Sequence, residues 1–249
     1  AQFKIGGKKI DAGKLLNAGK DVAKAVTLND EEIARLSREA VEWMDANNPV
    51  AADSTTYGAR LKRLTEGITD ADGLPLNFKV YLVTDVNAFA CGDGSIRVFA
   101  ALMDLMDDDE LMAIIGHEIG HVVHADTKHA MKNAYLASAA RNAAGAAEGS
   151  ALARLSESQL GKVVAAFIDA QFSQKQEYEA DEHGFEFCVK HGFDPYGMTN
   201  SLNKLVELSK GAKASTVQKM FSSHPDSEKR AARMKEKADA YMAAQRQNR

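Results

Sequence analysis

The sequence predicts a mainly helical α+β domain with a small β-sheet beside its central helices. Three observations carry that expectation. Apolar residues recur at helical spacing over most of the chain, two short runs near the middle are β-rich, and Gly, Asp and Pro fall between these segments. With 249 residues, 45% of them apolar, the chain can bury a substantial core.

Residues 1 to 28 alternate Lys, Gly and Ala with a weak apolar pattern, which predicts a loosely docked arm ahead of a single domain over 29 to 249. A helix opens that domain. In "TLNDEEIARLSREAVEWMDANN", Asn29 or Asp30 can cap, acids fill the first turn, and apolar residues run at helical spacing from Ile33 to Trp43. A second helix is expected over 53 to 68, ending before "DADGLPLN". "NFKVYLVTD" (77 to 85) and "SIRVFA" (95 to 100) read as strands, with "CGDG" supplying turn residues between them.

"MDDDELMAIIGHEIGHVVHAD" (106 to 126) begins with acids that can cap a helix and continues in helix-forming residues apart from Gly116 and Gly120. The Ala-rich stretch 134 to 153 reads either as a lid or as a plain packed helix. "LGKVVAAFIDAQFSQKQEYEADEHGFEFCVKHG" (160 to 192) reads as one or two long helices stopped by Gly192 and Pro195, and further helices fit 196 to 210 and 226 to 247.

Charge and composition exclude several function classes. Against 35 acidic residues stand 31 basic ones, so the formal charge of -4 gives no broad electrostatic reason to expect a nucleic acid partner. No window approaches the roughly 18 to 20 uncharged apolar residues of a membrane span, and the Ala-rich stretch is interrupted by Arg141 and Glu148, so no transmembrane segment is expected. The chain begins at Ala1, which fits a precursor whose signal peptide or lipid-bearing cysteine has been removed. Cys91 and Cys188 lack CxxC spacing and read as free thiols.

The chemistry concentrates in "IIGHEIGHVVHAD". Residues four apart on a helix differ by about 40 degrees in direction and about 6 Å in height, so His117 and His121 project side by side and can share one metal ion. Glu118 lies about 100 degrees round from His117 and can act on water activated by that ion, as a general base. The same five-letter pattern arises by chance on helices, but here two histidines and a glutamate sit in an apolar run where each would need a partner.

A catalytic zinc takes three protein ligands and keeps a position open. The extended pattern HExxHxxGxxH is excluded, since His124 and Thr127 stand where it needs Gly and His. "QEYEADEHG" offers Glu177 and Asp181 four apart on a predicted helix, one able to bind metal while the other steadies a ligand histidine. Alone, that pair reads equally as a solvated acidic face beside Glu179 and Glu182.

Together the segments "VNAFACGDGSIRVFAALM", "IIGHEIGHVV", "QFSQKQEYEAD" and "SSHPDSEKR" resemble the M48 family of zinc metallopeptidases, in particular its soluble periplasmic and lipoprotein branch in Gram-negative bacteria. The resemblance implies a zincin-like (gluzincin) fold and one Zn2+ per chain, held by His117, His121 and Glu177. It makes Glu118 the general base, sets Asp181 behind a ligand histidine, places His224 near the oxyanion, and matches Arg230 to a basic position. It implies a periplasmic location, with a lipid anchor lost with the precursor N-terminus, and unfolded or misfolded proteins as substrates. Two features depart from the family: Asp126 stands where members often carry a histidine, and "CGDG" replaces a small-residue or Gly-Gly turn.

Other candidates keep two readings. His224 precedes Pro225 and either points into a cleft, ahead of a helix capped by Asp226 or Ser227, or sits in a surface loop. Ser95, Ile96, Arg97 and Val98 either form a sheet edge that pairs a substrate peptide or an ordinary internal strand. His124, His129, His183 and His191 are expected to support or to be solvated rather than to ligate. The expected function is a zinc-dependent endopeptidase acting in envelope protein quality control; a chaperone or assembly factor with a closed site, or a hydrolase of smaller amides, are the alternatives.

Overall fold

The computed structural model describes residues 1–6, 28–139 and 155–249. Helix α1 (Asp30–Asn47) opens with a capping box in which Asn29 accepts from the Glu32 N–H and Glu32 accepts from the Asn29 N–H. Helix α2 (Thr56–Leu64) is shorter than expected, because the Thr55 side chain caps it at Gly58 and Gly67 turns the chain at φ 81°. A hairpin of two-residue strands follows, β1 (Asp70–Ala71) and β2 (Leu74–Pro75), turning through Asp72 and Gly73 at positive φ.

Strands β3 (Asn77–Tyr81), β4 (Ala88–Ala90) and β5 (Ser95–Phe99) form one mixed sheet in the order β3-β5-β4, with β3 parallel and β4 antiparallel to β5. This arrangement overturns the edge-strand expectation for Ser95, Ile96, Arg97 and Val98. Their main chain lies between two partner strands, and all four are buried. Arg97 is part of the core instead: its Nε and Nη2 donate to Asp45 at 2.9 and 3.0 Å, and the Tyr81 hydroxyl donates to the same carboxylate at 2.6 Å. The outer edge of β3 is met by the Ala51 N–H on Val80 O and the Leu82 N–H on Pro49 O, which among the described residues leaves β4 as the edge beside the site.

Alternation along the strands splits the core. Val80, Ala88, Ala90, Ile96 and Val98 face α4 (Asp108–Val123), whereas Tyr81, Phe89 and Phe99 face α1 and α6 (Glu157–Ile168). Phe3 packs into the second group, with ring centroids 4.8 Å from Phe99 and 5.8 Å from Tyr81. The Phe3, Lys4 and Gly6 N–H groups donate to Asp85, Asn48 and Gly161 O. Residues 7–27 of the arm, and residues 140–153 of the Ala-rich stretch, lie outside the described residues, while 134–139 are helical.

Short α3 (Ala100–Leu105) leads to α4, whose start is a capping box between Asp107 and Glu110. The chain breaks at Ala125, φ 62°, before α5 (Asp126–Ala139). The long apolar stretch after residue 160 belongs to two helices, α6 and α7 (Gln174–His191), interrupted at residues 169–173, and Gly192 ends α7 in the left-handed conformation. Then come α8 (Gly197–Ser209), α9 (Ala214–Ser223) and α10 (Ser227–Gln247). Among the described residues no helix is long and apolar enough to cross a membrane. Cys91 and Cys188 are free and buried.

Helices α4 and α7 touch through small residues. A Cβ at Gly120 would lie 3.1 Å from Ala180 Cα, and one at Gly184 would lie 2.9 Å from Ala113 O and 3.1 Å from His117 N. Glycine costs helix stability, but here it brings the two backbones close enough for their side chains to meet at one point.

Candidate metal centre

On α4, His117 and His121 stand one turn apart with their Nε2 atoms separated by 3.1 Å. Glu177, in the first turn of α7, places Oε1 3.0 Å from His121 Nε2 and Oε2 3.4 Å from His117 Nε2. His224, just past α9, adds Nδ1 at 2.9 Å from Glu177 Oε1 and 3.3 Å from His117 Nε2. One potential ligand atom from each of these four buried residues falls within 4.8 Å of all the others.

Each imidazole of the α4 pair is pinned from behind. His117 Nδ1 donates to Asp181 Oδ1 at 2.8 Å, and His121 Nδ1 donates to Asp126 Oδ2 at 2.8 Å. Asp181 is itself held by Arg230, whose Nε and Nη2 each donate at 2.8 Å, while Nη1 donates to the His224 carbonyl at 3.2 Å. With the Nδ1 protons committed to carboxylates, both Nε2 atoms present lone pairs to the same small space. As bare acceptors 3.1 Å apart the two Nε2 atoms would repel, so the arrangement favours a cation between them, a proton or a metal ion.

The donor set fits a metal ion. Two nitrogens on one tetrahedral zinc, with bonds of about 2.0 to 2.1 Å, stand about 3.3 Å apart, close to the His117–His121 and His117–His224 separations of 3.1 and 3.3 Å. Four buried carboxylates, Glu118, Asp126, Glu177 and Asp181, surround the pocket with Arg230 as the buried guanidinium. Burial alone would lower the His117 pKa, yet the charge of Glu177 and the Asp181 hydrogen bond push it up to about 10. Burial would likewise raise Glu177, but the charges of His224 and His117 hold it well below the usual carboxylate range. The cluster attracts positive charge. Glu177 Oε2 has Arg230 Nη1 at 2.9 Å without a hydrogen bond aligned on it, so this oxygen retains coordinating capacity.

Glu118 faces the cluster from α4, 2% exposed, with Oε1 lacking a hydrogen-bond partner and 3.4 Å from His224 Nε2. Glu118 and His224 share the wall between two openings. One is lined by the apolar Ile114, Met198, Leu202, Leu205 and Met220. The other runs beside the β4 edge and is lined by Ala88, Phe89, Ala90, Phe167 and Phe172.

The structure brings together His117, Glu118, His121, Glu177, Asp181, His224 and Arg230, all buried. It leaves Ser95 to Val98 inside the sheet. His124, His129 and His191 are exposed, while His183 Nδ1 lies 2.9 Å from the Gly116 carbonyl. Asp226 does occupy the N-cap of α10, but at φ 64° and without a side-chain cap bond. Two residues at the cluster escaped sequence reasoning. Asp126 follows the chain break at Ala125, so helical spacing from His121 does not project it; an acid at the head of the next helix was the available signal. Phe172 falls inside the stretch expected to be helical, but it stands in the interruption between α6 and α7, where its ring stacks on His121 at 3.9 Å and 15°.

The sequence profile of peptidase family M48 matches residues 57–238. The chain is 37% identical over 236 residues to metalloprotease LoiP of Escherichia coli (strain K12), a match covering 94% of this chain and 92% of that protein. It is also 37% identical over 229 residues to metalloprotease YcaL of the same strain, covering 92% and 88%. To the beta-barrel assembly-enhancing protease of Yersinia pestis it is 30% identical over 212 residues, 79% of this chain and 41% of that one.

Proposed function

The chain belongs to peptidase family M48, and from that premise we propose that it is a zinc-dependent endopeptidase of unfolded or misassembled proteins. The observation that carries this reading is the convergence of His117 Nε2, His121 Nε2 and Glu177 on one point, with both imidazoles pinned from behind by carboxylates. These three residues would hold the metal. Two imidazoles and a carboxylate suit zinc among the available ions. When bound, zinc supplies Lewis acidity toward a peptide carbonyl and toward water.

The protein groups do the rest. Glu118, with a free oxygen directed at the cluster, takes the proton of the attacking water and passes it to the leaving amine. Asp181 and Asp126 hold the two imidazoles in the tautomer that offers Nε2 forward. The β4 edge can align an extended substrate by main-chain pairing beside Glu118. The apolar opening on the other side of Glu118 would take an apolar side chain flanking the scissile bond. Extended segments with apolar side chains are what unfolded proteins expose. The similarity to the beta-barrel assembly-enhancing protease supports a periplasmic role in envelope quality control.

One observation favours a second reading, a client-binding factor with a closed site. His224 fills the fourth corner of the cluster, where a substrate oxygen has to reach. Cleavage then requires His224 to yield that corner.

The test is cleavage of casein by the purified chain and by Glu118→Gln, with zinc content measured in both. The endopeptidase reading expects about one zinc in each, with cleavage by the variant reduced by about 10²-fold or more. Zinc in both with no cleavage by either favours the closed-site reading, and client binding that survives Glu118→Gln supports it. Absence of zinc from both sinks the metal assignment.

A further inference from the structure

The turn that begins α7 covers His121 on two sides, and Asp126 at the head of α5 closes a third. Phe172 covers its ring face at 3.9 Å, Glu177 Oε1 lies 3.0 Å from Nε2, and behind it Asp126 Oδ2 accepts from Nδ1 at 2.8 Å. Asp126 is not held by its own helix alone. Its other oxygen, Oδ1, accepts from Gln176 Nε2 at 3.1 Å, and Gln176 is the residue immediately before Glu177. Gln176 is also the third helical residue of α7, and its Oε1 accepts from the Ser173 N–H at 2.8 Å while the Ser173 hydroxyl accepts from the Gln176 N–H at 3.2 Å.

One side chain thus serves two partners of opposite demand. The Ser173 N–H requires an oxygen and the Asp126 carboxylate requires an N–H, so only an amide satisfies both, and only in the orientation seen. A glutamate in this place would complete the cap as well as glutamine does. It could not donate to Asp126. The cap explains an acceptor at 176; the amide nitrogen is explained only by its bond to the carboxylate that orients His121.

Resting on the reading of the site as a zinc centre, we propose that Gln176 is a positioning residue, joining the His121–Asp126 pair to the turn that carries Glu177 so that the two ligands are set as one unit. Without that bond Asp126 keeps its contact with His121 but loses its second anchor, so the His121 ring is no longer set relative to Glu177 before metal arrives.

The experiment measures zinc affinity by chelator competition, and the melting temperature of the metal-free protein, in wild type, Gln176→Glu, Gln176→Leu and Ser173→Ala. Loss of an orienting partner typically weakens metal binding by 10- to 100-fold, and for a residue one step farther out the lower figure, about tenfold, is expected. Gln176→Leu should show it with a lowered melting temperature from the lost cap, Gln176→Glu should show it with melting lowered by the two carboxylates that then face each other, and Ser173→Ala should melt lower while binding zinc as wild type does. Wild-type affinity in both Gln176 variants, or an equal loss in Ser173→Ala, overturns the proposal and leaves Gln176 as a cap. Failure of the wild type to bind zinc fails the zinc reading itself and this inference with it.

Discussion

His121 Nδ1 lies 2.8 Å from Asp126 Oδ2, the same separation that joins His117 Nδ1 to Asp181 Oδ1. The two proposed ligand histidines therefore carry matching anchors from different helices. Asp126→Asn and Asp181→Asn should each weaken zinc binding by about 10- to 100-fold. The loss should be larger for Asp181, because that change also takes a carboxylate from the buried Arg230. Chelator competition at fixed pH, with circular dichroism to confirm folding, measures both.

The close approach of α4 and α7 makes Gly184 a stability determinant. A side chain there meets the main-chain atoms Ala113 O and His117 N, neither of which can move without parting the helices. Gly184→Val should destabilise the protein by about 2 kcal/mol, within the range for overpacked cores, and should weaken metal binding because Glu177 retreats with its helix. Urea denaturation of the metal-free protein reads the first effect and zinc titration the second.

Acid stability should respond to Asp45. Burial pushes this carboxyl up, but the hydrogen bonds from Arg97 and Tyr81 outweigh it and hold the pKa below its ordinary 3.8. A depressed carboxylate binds fewer protons in the folded state than in the unfolded one, so its stabilisation is complete above 3.8 and is lost as pH falls through the folded value. Asp45→Asn should cost about 3 kcal/mol at pH 7, because it leaves the buried Arg97 without its charge partner. The gap to wild type should narrow below about pH 4. Urea melts between pH 7 and pH 3 follow both.

Leu202 lines the apolar opening beside Glu118 and is buried. If that opening receives the side chain next to the scissile bond, Leu202→Phe should depress cleavage of peptides with a bulky apolar residue there several-fold more than cleavage of alanine peptides, at a stability cost of about 1 to 3 kcal/mol. Competition between paired peptides in one reaction measures the ratio. An unchanged ratio with the protein still folded removes the opening from substrate recognition.

What the sequence made legible were the contacts that lie within one helix. His117 with His121, and Glu177 with Asp181, are four apart, and helical geometry alone sets them on common faces. The N-caps of α1 and α4 were legible for the same reason, being interactions three residues long. Strand order was not: β5 is internal only because β3 joins it in parallel, a pairing that no local alternation encodes. Helix α9 was missed because it starts at Lys213 without a side-chain cap. The end of α9 delivers the His224 ring to the cluster, so of its two readings the cleft holds and the surface loop does not.

The glycine contact between α4 and α7 divides the labour of the molecule. Three proposed ligands and the base sit on two helices locked backbone to backbone, whereas the openings are walled largely by β4, residues 169–173, α8 and the end of α9. On the proposed reading, preference for one peptide over another can therefore drift by substitution on that second set while the proposed ligands and base stay in place, which makes the fold a scaffold for new specificities.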